Sequence, residues 1–289
     1  VRPYTLLDGA MGTELMRRGF DARLPLWSAL ALIEAPDQVY EIHRDYVEAG
    51  ADVITTNTFR TNRRIVARAG LDDGMDAELG AKAVELAKRA AAEAGRKVLV
   101  AGSIAPVEDC YKPGLVPDDE ALASEHARQA RILADAGCDI LLCETMNTLR
   151  EALASAKAAI ATGVSTWVSV VCSHEGSLLS GEDVGRVARE IAALTPSAML
   201  VNCTPATSTH VALAKVADAA TAAGIPFGAY ANIGRPARES GWEIRGEVGV
   251  REYADCARRW LDMGASVIGG CCGTTPAHIA ELRKMRDSA

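Results

Sequence analysis

Three cysteines carry the clearest chemical signal in this chain of 289 residues. Cys203 lies in Asn202-Cys203-Thr204, and Cys271 and Cys272 are adjacent in Gly269-Gly270-Cys271-Cys272-Gly273-Thr274, each at the end of a short apolar run. Three thiolates suit Zn²⁺, and three protein ligands leave the fourth tetrahedral position open to water or substrate, as in catalytic rather than structural zinc sites. Neighbouring residues inside a strand point to opposite faces, so Cys271 and Cys272 can share an ion only where the strand ends and the backbone turns. Gly269, Gly270 and Gly273 permit that turn. The competing readings are packing, because cysteine is a small hydrophobe, and a redox disulfide between the vicinal pair. Of the other five cysteines, Cys138, Cys143, Cys172 and Cys256 lie in apolar segments and Cys110 in a loop; all five read as packing residues. The five histidines show no paired ligand spacing, and His278 follows Thr275-Pro276 at a capped helix start.

Two acids, Asp8 and Glu144, stand where apolar runs end. A carboxylate there either caps a loop, pairs with an arginine, or accepts from a cationic ligand. Thr56, Asn57 and Thr58 either satisfy strand-end backbone or bond a ligand. Asn232 either shapes a pocket or forms a turn, and Trp27 either covers a pocket mouth or packs at a helix start.

These residues need a frame that gathers them. Eight segments, 5–8, 52–58, 97–104, 139–145, 166–172, 198–204, 227–232 and 266–271, read as buried parallel strands. Between them run Ala-, Leu-, Glu- and Arg-rich stretches of helical length, including 77–93, 119–136, 149–161, 184–194 and 251–263. Gly50, Gly137 and Gly264 each follow a helical stretch and precede a strand, a position suited to a left-handed helix end. The alternation predicts a (β/α)₈ TIM barrel rather than an open doubly wound sheet, in one domain over 1–289, with 232–249 as the seventh βα loop. A barrel brings every strand C-terminus to one mouth, and Asp8, Thr56, Glu144, Cys203, Asn232, Cys271 and Cys272 all fall at such ends.

Composition narrows the class. The chain is 49% hydrophobic and 24% charged, enough for a large core without the profile of a membrane or disordered protein. No apolar run has signal-peptide or membrane-spanning length, so a cytoplasmic location with reduced thiols is expected. A formal charge of −7 without basic clusters argues against nucleic acid as a partner.

Asp8-Gly9-Ala10-Met11-Gly12-Thr13, Thr56-Asn57-Thr58-Phe59, Cys143-Glu144-Thr145, Asn202-Cys203 and Gly269-Gly270-Cys271-Cys272-Gly273-Thr274-Thr275-Pro276 together resemble the homocysteine S-methyltransferase family. The likeness spans nearly the whole chain, with Cys203 and Cys271 68 positions apart. It implies a zinc-dependent barrel in which Cys203, Cys271 and Cys272 hold Zn²⁺ and the thiol of L-homocysteine becomes the fourth ligand. It further implies that Glu144 holds the substrate amino group with support from Asp8. By the same carry-over, backbone around Gly9 and Gly270 would approach the carboxylate, while Thr56 and Asn232 stand beside them as substrate-binding candidates on their position at strand ends. A free thiol titrates at about 8.5, so metal coordination would deliver the nucleophilic thiolate at neutral pH without a general base.

The methyl donor is read by elimination. Betaine-using relatives carry an aromatic residue after Thr-x-Thr-Phe, where this chain has Arg60. The length leaves no room for folate and cobalamin modules beside the barrel, so a corrinoid would have to belong to a separate protein. A sulfonium is favoured, S-methylmethionine before S-adenosylmethionine. Another thiol or selenol as acceptor, and a non-catalytic zinc or redox protein, are the remaining alternatives.

Overall fold

The computed structural model describes residues 4–236, 244–246 and 248–288. Eight parallel strands form the barrel: β1 (Thr5–Leu6), β2 (Val53–Thr55), β3 (Leu99–Ile104), β4 (Ile140–Met146), β5 (Ser165–Val171), β6 (Ala198–Pro205), β7 (Phe227–Asn232) and, after a short antiparallel ribbon of β8 (Gly234–Pro236) and β9 (Ile244–Gly246), β10 (Val267–Gly270). The hydrogen-bonded order is β1-β10-β7-β6-β5-β4-β3-β2. A parallel bridge between Leu7 and Val53 joins the two ends, so the sheet closes on itself.

Two apolar layers hold this arrangement. Leu7, Val53, Leu142, Trp167, Leu200 and Val267 fill the barrel interior. The opposite faces of the strands meet the helices in a larger layer that includes Ile54, Val100, Leu141, Val168 and Ile268. Strands buried on both faces read as continuous apolar runs, which is why they were visible in the sequence. Each fully buried Leu, Ile or Val contributes about 1.5–3 kcal/mol.

The helices follow local rules equally closely. In the helix Val184–Ala192, Val184, Val187, Ala188 and Ile191 are buried at helical spacing, and the Asp183 side chain caps its start by accepting from the Arg186 N–H at 2.8 Å. Pro36 opens the helix Pro36–Ala49, and Gly50 ends it in the left-handed region at φ 110°. Gly137 and Gly264 adopt the same conformation at φ 82° and 99°.

Strand ends depart from expectation near the mouth. Thr56–Thr58 does not continue β2: Thr58 N–H turns back to the Thr56 carbonyl at 2.8 Å. β4 and β6 lose regular register between Cys143 and Met146 and between Asn202 and Pro205. Within those irregular stretches Thr145 and Cys203 take positive φ, 62° and 49°. Bulges of this kind re-aim side chains.

Candidate active site

The double-cysteine segment turns where the strand stops. β10 ends at Gly270, the Cys271 N–H still reaches the Ala231 carbonyl at 2.8 Å, and Thr274 folds back so that its N–H and hydroxyl meet the Cys271 carbonyl at 3.0 and 2.7 Å. Gly273 completes the turn at φ 82°. Little room remains around Thr274: a Cβ at Gly270 would lie 2.3 Å from its hydroxyl, and one at Gly9 2.7 Å from the same atom. Glycine is required at both places by close approach.

This turn brings Cys271 and Cys272 towards Cys203, which arrives from β6. The three sulfurs lie within 4.8 Å of one another, and those of Cys203 and Cys271 are 2.7 Å apart. All eight cysteines are free thiols. Hydrogen bonds from Cys203 and then Cys271 hold the Cys272 thiol well below its ordinary range, while the bond to Cys271 pushes Cys203 up. Three convergent soft donors, open to a pocket on one side, fit a thiophilic divalent cation with one free coordination position. Asn232 supports this corner from behind, its amide donating to the Cys203 carbonyl at 2.9 Å. It is not among the side chains that line the pocket.

The pocket is bounded on one side by the thiols and on another by Asp8 and Glu144. Asp8 accepts from the Thr55 N–H at 2.7 Å and the Thr55 hydroxyl at 2.9 Å. Glu144 accepts from the Ser103 hydroxyl and, at 3.2 Å, from the Tyr230 hydroxyl. Neither acid has an Arg or Lys partner among the described residues. Burial pushes Asp8 up to about 8, with Thr55 opposing and the Glu144 charge adding. Burial pushes Glu144 up to about 7, reinforced by Cys271 and opposed by Ser103 and Tyr230. Two buried, oriented carboxyls lining one pocket have the chemistry to accept hydrogen bonds from a cationic group.

Other expected residues occupy different positions. Thr56 lines the pocket, but its hydroxyl already meets Thr58 at 2.8 Å and the Ser103 N–H at 3.1 Å. The Asn57 amide donates to the Ser28 carbonyl. Gly270 also lines the pocket, yet its N–H is spent on the Asp8 carbonyl at 2.9 Å and so cannot serve a ligand carboxylate. Trp27 is both pocket wall and packing residue, set edge-on to Phe59 with centroids 6.3 Å apart. Arg60 is buried outside the lining and donates to the Pro25 carbonyl at 3.0 Å. Trp242 lies outside the described residues.

Sequence reasoning missed Thr55, Ser103, Tyr230, Cys110 and Tyr111, all in or beside this pocket. Cys110, read as packing, is indeed buried, yet it faces the same cavity with Tyr111. Both follow β3 in a loop, where no periodicity marks which side chains point inward. Alternation along β7 was the available signal for Tyr230.

Comparison with known proteins agrees with this geometry. The family model for homocysteine S-methyltransferase matches residues 5–286. The homocysteine S-methyltransferase of Escherichia coli (strain K12) is 34% identical, covering 96% of this chain and 94% of its own length. The selenocysteine Se-methyltransferase of Brassica oleracea var. italica is 29% identical, covering 97% and 88%. The metallated form of the homocysteine methyltransferase MmuM from Escherichia coli superposes with a TM-score of 0.82 at 32% identity, covering 98% of this chain and 96% of that one. With its barrel, its thiol triad and nearly its full length matched, this chain belongs to the homocysteine S-methyltransferase family.

Proposed function

We propose that the protein transfers a methyl group to the thiol of L-homocysteine, giving methionine, with Zn²⁺ held by Cys203, Cys271 and Cys272. The observation that carries this reading is the shared pocket: a three-thiol cluster and an unpaired, buried acid pair line the same cavity. An amino acid with a terminal thiol is complementary to both. Zinc, when bound, would supply a Lewis acid that keeps the substrate sulfur deprotonated at neutral pH.

The protein's own groups do the rest. Glu144, oriented by Ser103 and Tyr230, and Asp8, oriented by Thr55, receive the substrate ammonium. That positive charge favours their ionised forms and lowers the proton affinity of both acids. Gly9 lines the same pocket, and its backbone is the candidate contact for the carboxylate end. Bond making is a transfer between sulfurs: the new S–CH₃ bond forms as the donor's C–S bond breaks, and the donor leaves as a neutral thioether. A sulfonium donor suits a wall that includes Trp27, Phe59 and Tyr111, because aromatic rings attract a cation through their faces and apolar walls exclude water. S-methylmethionine is the first candidate donor and S-adenosylmethionine the second. The reduced thiols this chemistry needs fit a cytoplasmic setting.

The selenocysteine methyltransferase among the relatives favours one second reading. Selenocysteine shares the ammonium group that the acid pair would recognise, so a selenol is an alternative acceptor.

The test is product formation by reduced, zinc-loaded protein, with each acceptor paired separately with S-methylmethionine, S-adenosylmethionine, betaine and methylcobalamin. Methionine from homocysteine and one sulfonium is the expected result. Preferential turnover of selenocysteine would replace the acceptor, and no turnover with any pair would overturn the proposal.

A further inference from the structure

Cys203 sits inside a hydrogen-bond network that the metal-binding role alone does not require. Its sulfur accepts from the Asn202 amide at 3.4 Å and from the Thr145 hydroxyl at 3.6 Å. Both donors are fully buried. The direction of each bond follows from the partners. The Asn202 Oδ1 accepts the Thr145 N–H at 2.9 Å and the Ser169 hydroxyl at 2.7 Å, and a backbone N–H can only donate. The other end of the amide must therefore be its NH₂, which reaches the Thr145 hydroxyl at 2.8 Å and the Cys203 sulfur. Because the Thr145 oxygen accepts from that NH₂, its own proton is available to the sulfur.

The backbone is shaped to make these contacts. Thr145 and Cys203 stand at φ 62° and 49°, in the register breaks of β4 and β6. A left-handed conformation is unusual for a β-branched residue and persists only where surrounding bonds impose it. Here Asn202 clasps Thr145 through both N–H and hydroxyl, and Asn232 holds the Cys203 carbonyl.

The chemical consequence concerns self-alkylation. Resting on the zinc-thiolate reading above, any protein thiolate sharing a pocket with a methyl donor is itself a nucleophile. Attack by Cys203 would form a Cys203 S–CH₃ bond as the donor's C–S bond broke. The donor would leave as its thioether, and Cys203 would become an uncharged thioether, lost as a strong ligand. Hydrogen-bond donors on a thiolate withdraw charge from sulfur and slow such attack. We infer that Asn202 and Thr145 are positioning residues that aim Cys203 at the metal and protect its sulfur from the methyl donor, directing alkylation to the substrate thiol.

The experiment compares wild type with Thr145→Val, Thr145→Ser and Asn202→Asp, each loaded with zinc and assayed for metal content. Iodoacetamide is added, which alkylates sulfur with loss of iodide, and the modification rate of the Cys203 peptide is followed by mass spectrometry. Thr145→Val removes the hydroxyl while keeping the branched shape. Asn202→Asp keeps the acceptor for Thr145 and Ser169 but removes the N–H donor, so it also reads the question if Thr145→Val does not fold. Both should speed Cys203 alkylation by about tenfold, the scale of one hydrogen bond to a charged group, while Thr145→Ser stays near wild type. Unchanged Cys203 rates in zinc-loaded Thr145→Val and Asn202→Asp would overturn the inference. Zinc loss shared by Thr145→Ser would also overturn it, because that variant retains the hydroxyl. Methyl transfer by wild type in the same preparations tests the underlying function separately.

Discussion

At the scale of single residues, the site combines groups held in opposite electrostatic conditions. The carboxyls of Asp8 and Glu144 are pushed up by burial to about 8 and about 7, whereas an unfolded chain ionises them near 4. The folded protein therefore binds these protons more tightly than the unfolded one between about pH 4 and 8, and its stability from these groups falls as pH rises through that window. Asp8→Asn removes the charge while keeping an acceptor for Thr55. Without ligand, it should melt above wild type at pH 9 and close to it at pH 5, as read by thermal denaturation. Glu144→Gln tests the substrate side of the same pair. It should raise the homocysteine KM by on the order of tenfold to a hundredfold, the loss of a charge-assisted bond, with zinc content unchanged; steady-state kinetics and metal analysis together decide it. The sequence identified both acids at strand ends. It left Thr55, Ser103 and Tyr230 unseen because which hydroxyl orients a carboxyl depends on neighbouring strands in register.

At the scale of elements, the strand ends do more than terminate the sheet. The register breaks in β4 and β6 and the turn after β10 place their thiols and acid towards one cavity. The β10 turn depends on glycine, since a Cβ at Gly270 meets the Thr274 hydroxyl at 2.3 Å. Gly270→Ala should cost about 1–3 kcal/mol through overpacking and weaken zinc retention, measurable by denaturant unfolding and by competition with a metal indicator. Element interiors were legible because buried parallel strands and amphipathic helices have simple periods: the stretch 227–232 matches β7 in full, and 149–161 differs from the helix Leu149–Ile160 by one residue. The mouth was less so. Thr56–Thr58 reads as strand continuation but curls into a turn, and the loop carrying Cys110 and Tyr111 has no period at all.

At the scale of the whole molecule, closure of the barrel makes residues distant in the chain into neighbours. Leu7 meets Val53 to complete the ring, and Cys203 of β6 reaches Cys271 beyond β10 across β7. A metal held there ties two strand ends together, and a ligand that binds only the folded state stabilises it by mass action. Chelation should therefore lower the melting temperature and abolish methyl transfer, and both should return on adding zinc back under reducing conditions; calorimetry beside a methionine assay checks the pair of outcomes. The sequence by itself determined the alternation of strands and helices, the left-handed glycine ends and the three thiols, because apolar periodicity, backbone freedom and ligand chemistry are properties of local residue order. Only the tertiary structure decided that Gly270 spends its amide on Asp8, that Asn232 braces Cys203 rather than lining the pocket, and that Asn202 and Thr145 donate to the Cys203 sulfur. Those facts depend on distances between chain segments that meet only when the barrel closes, and no local rule encodes them.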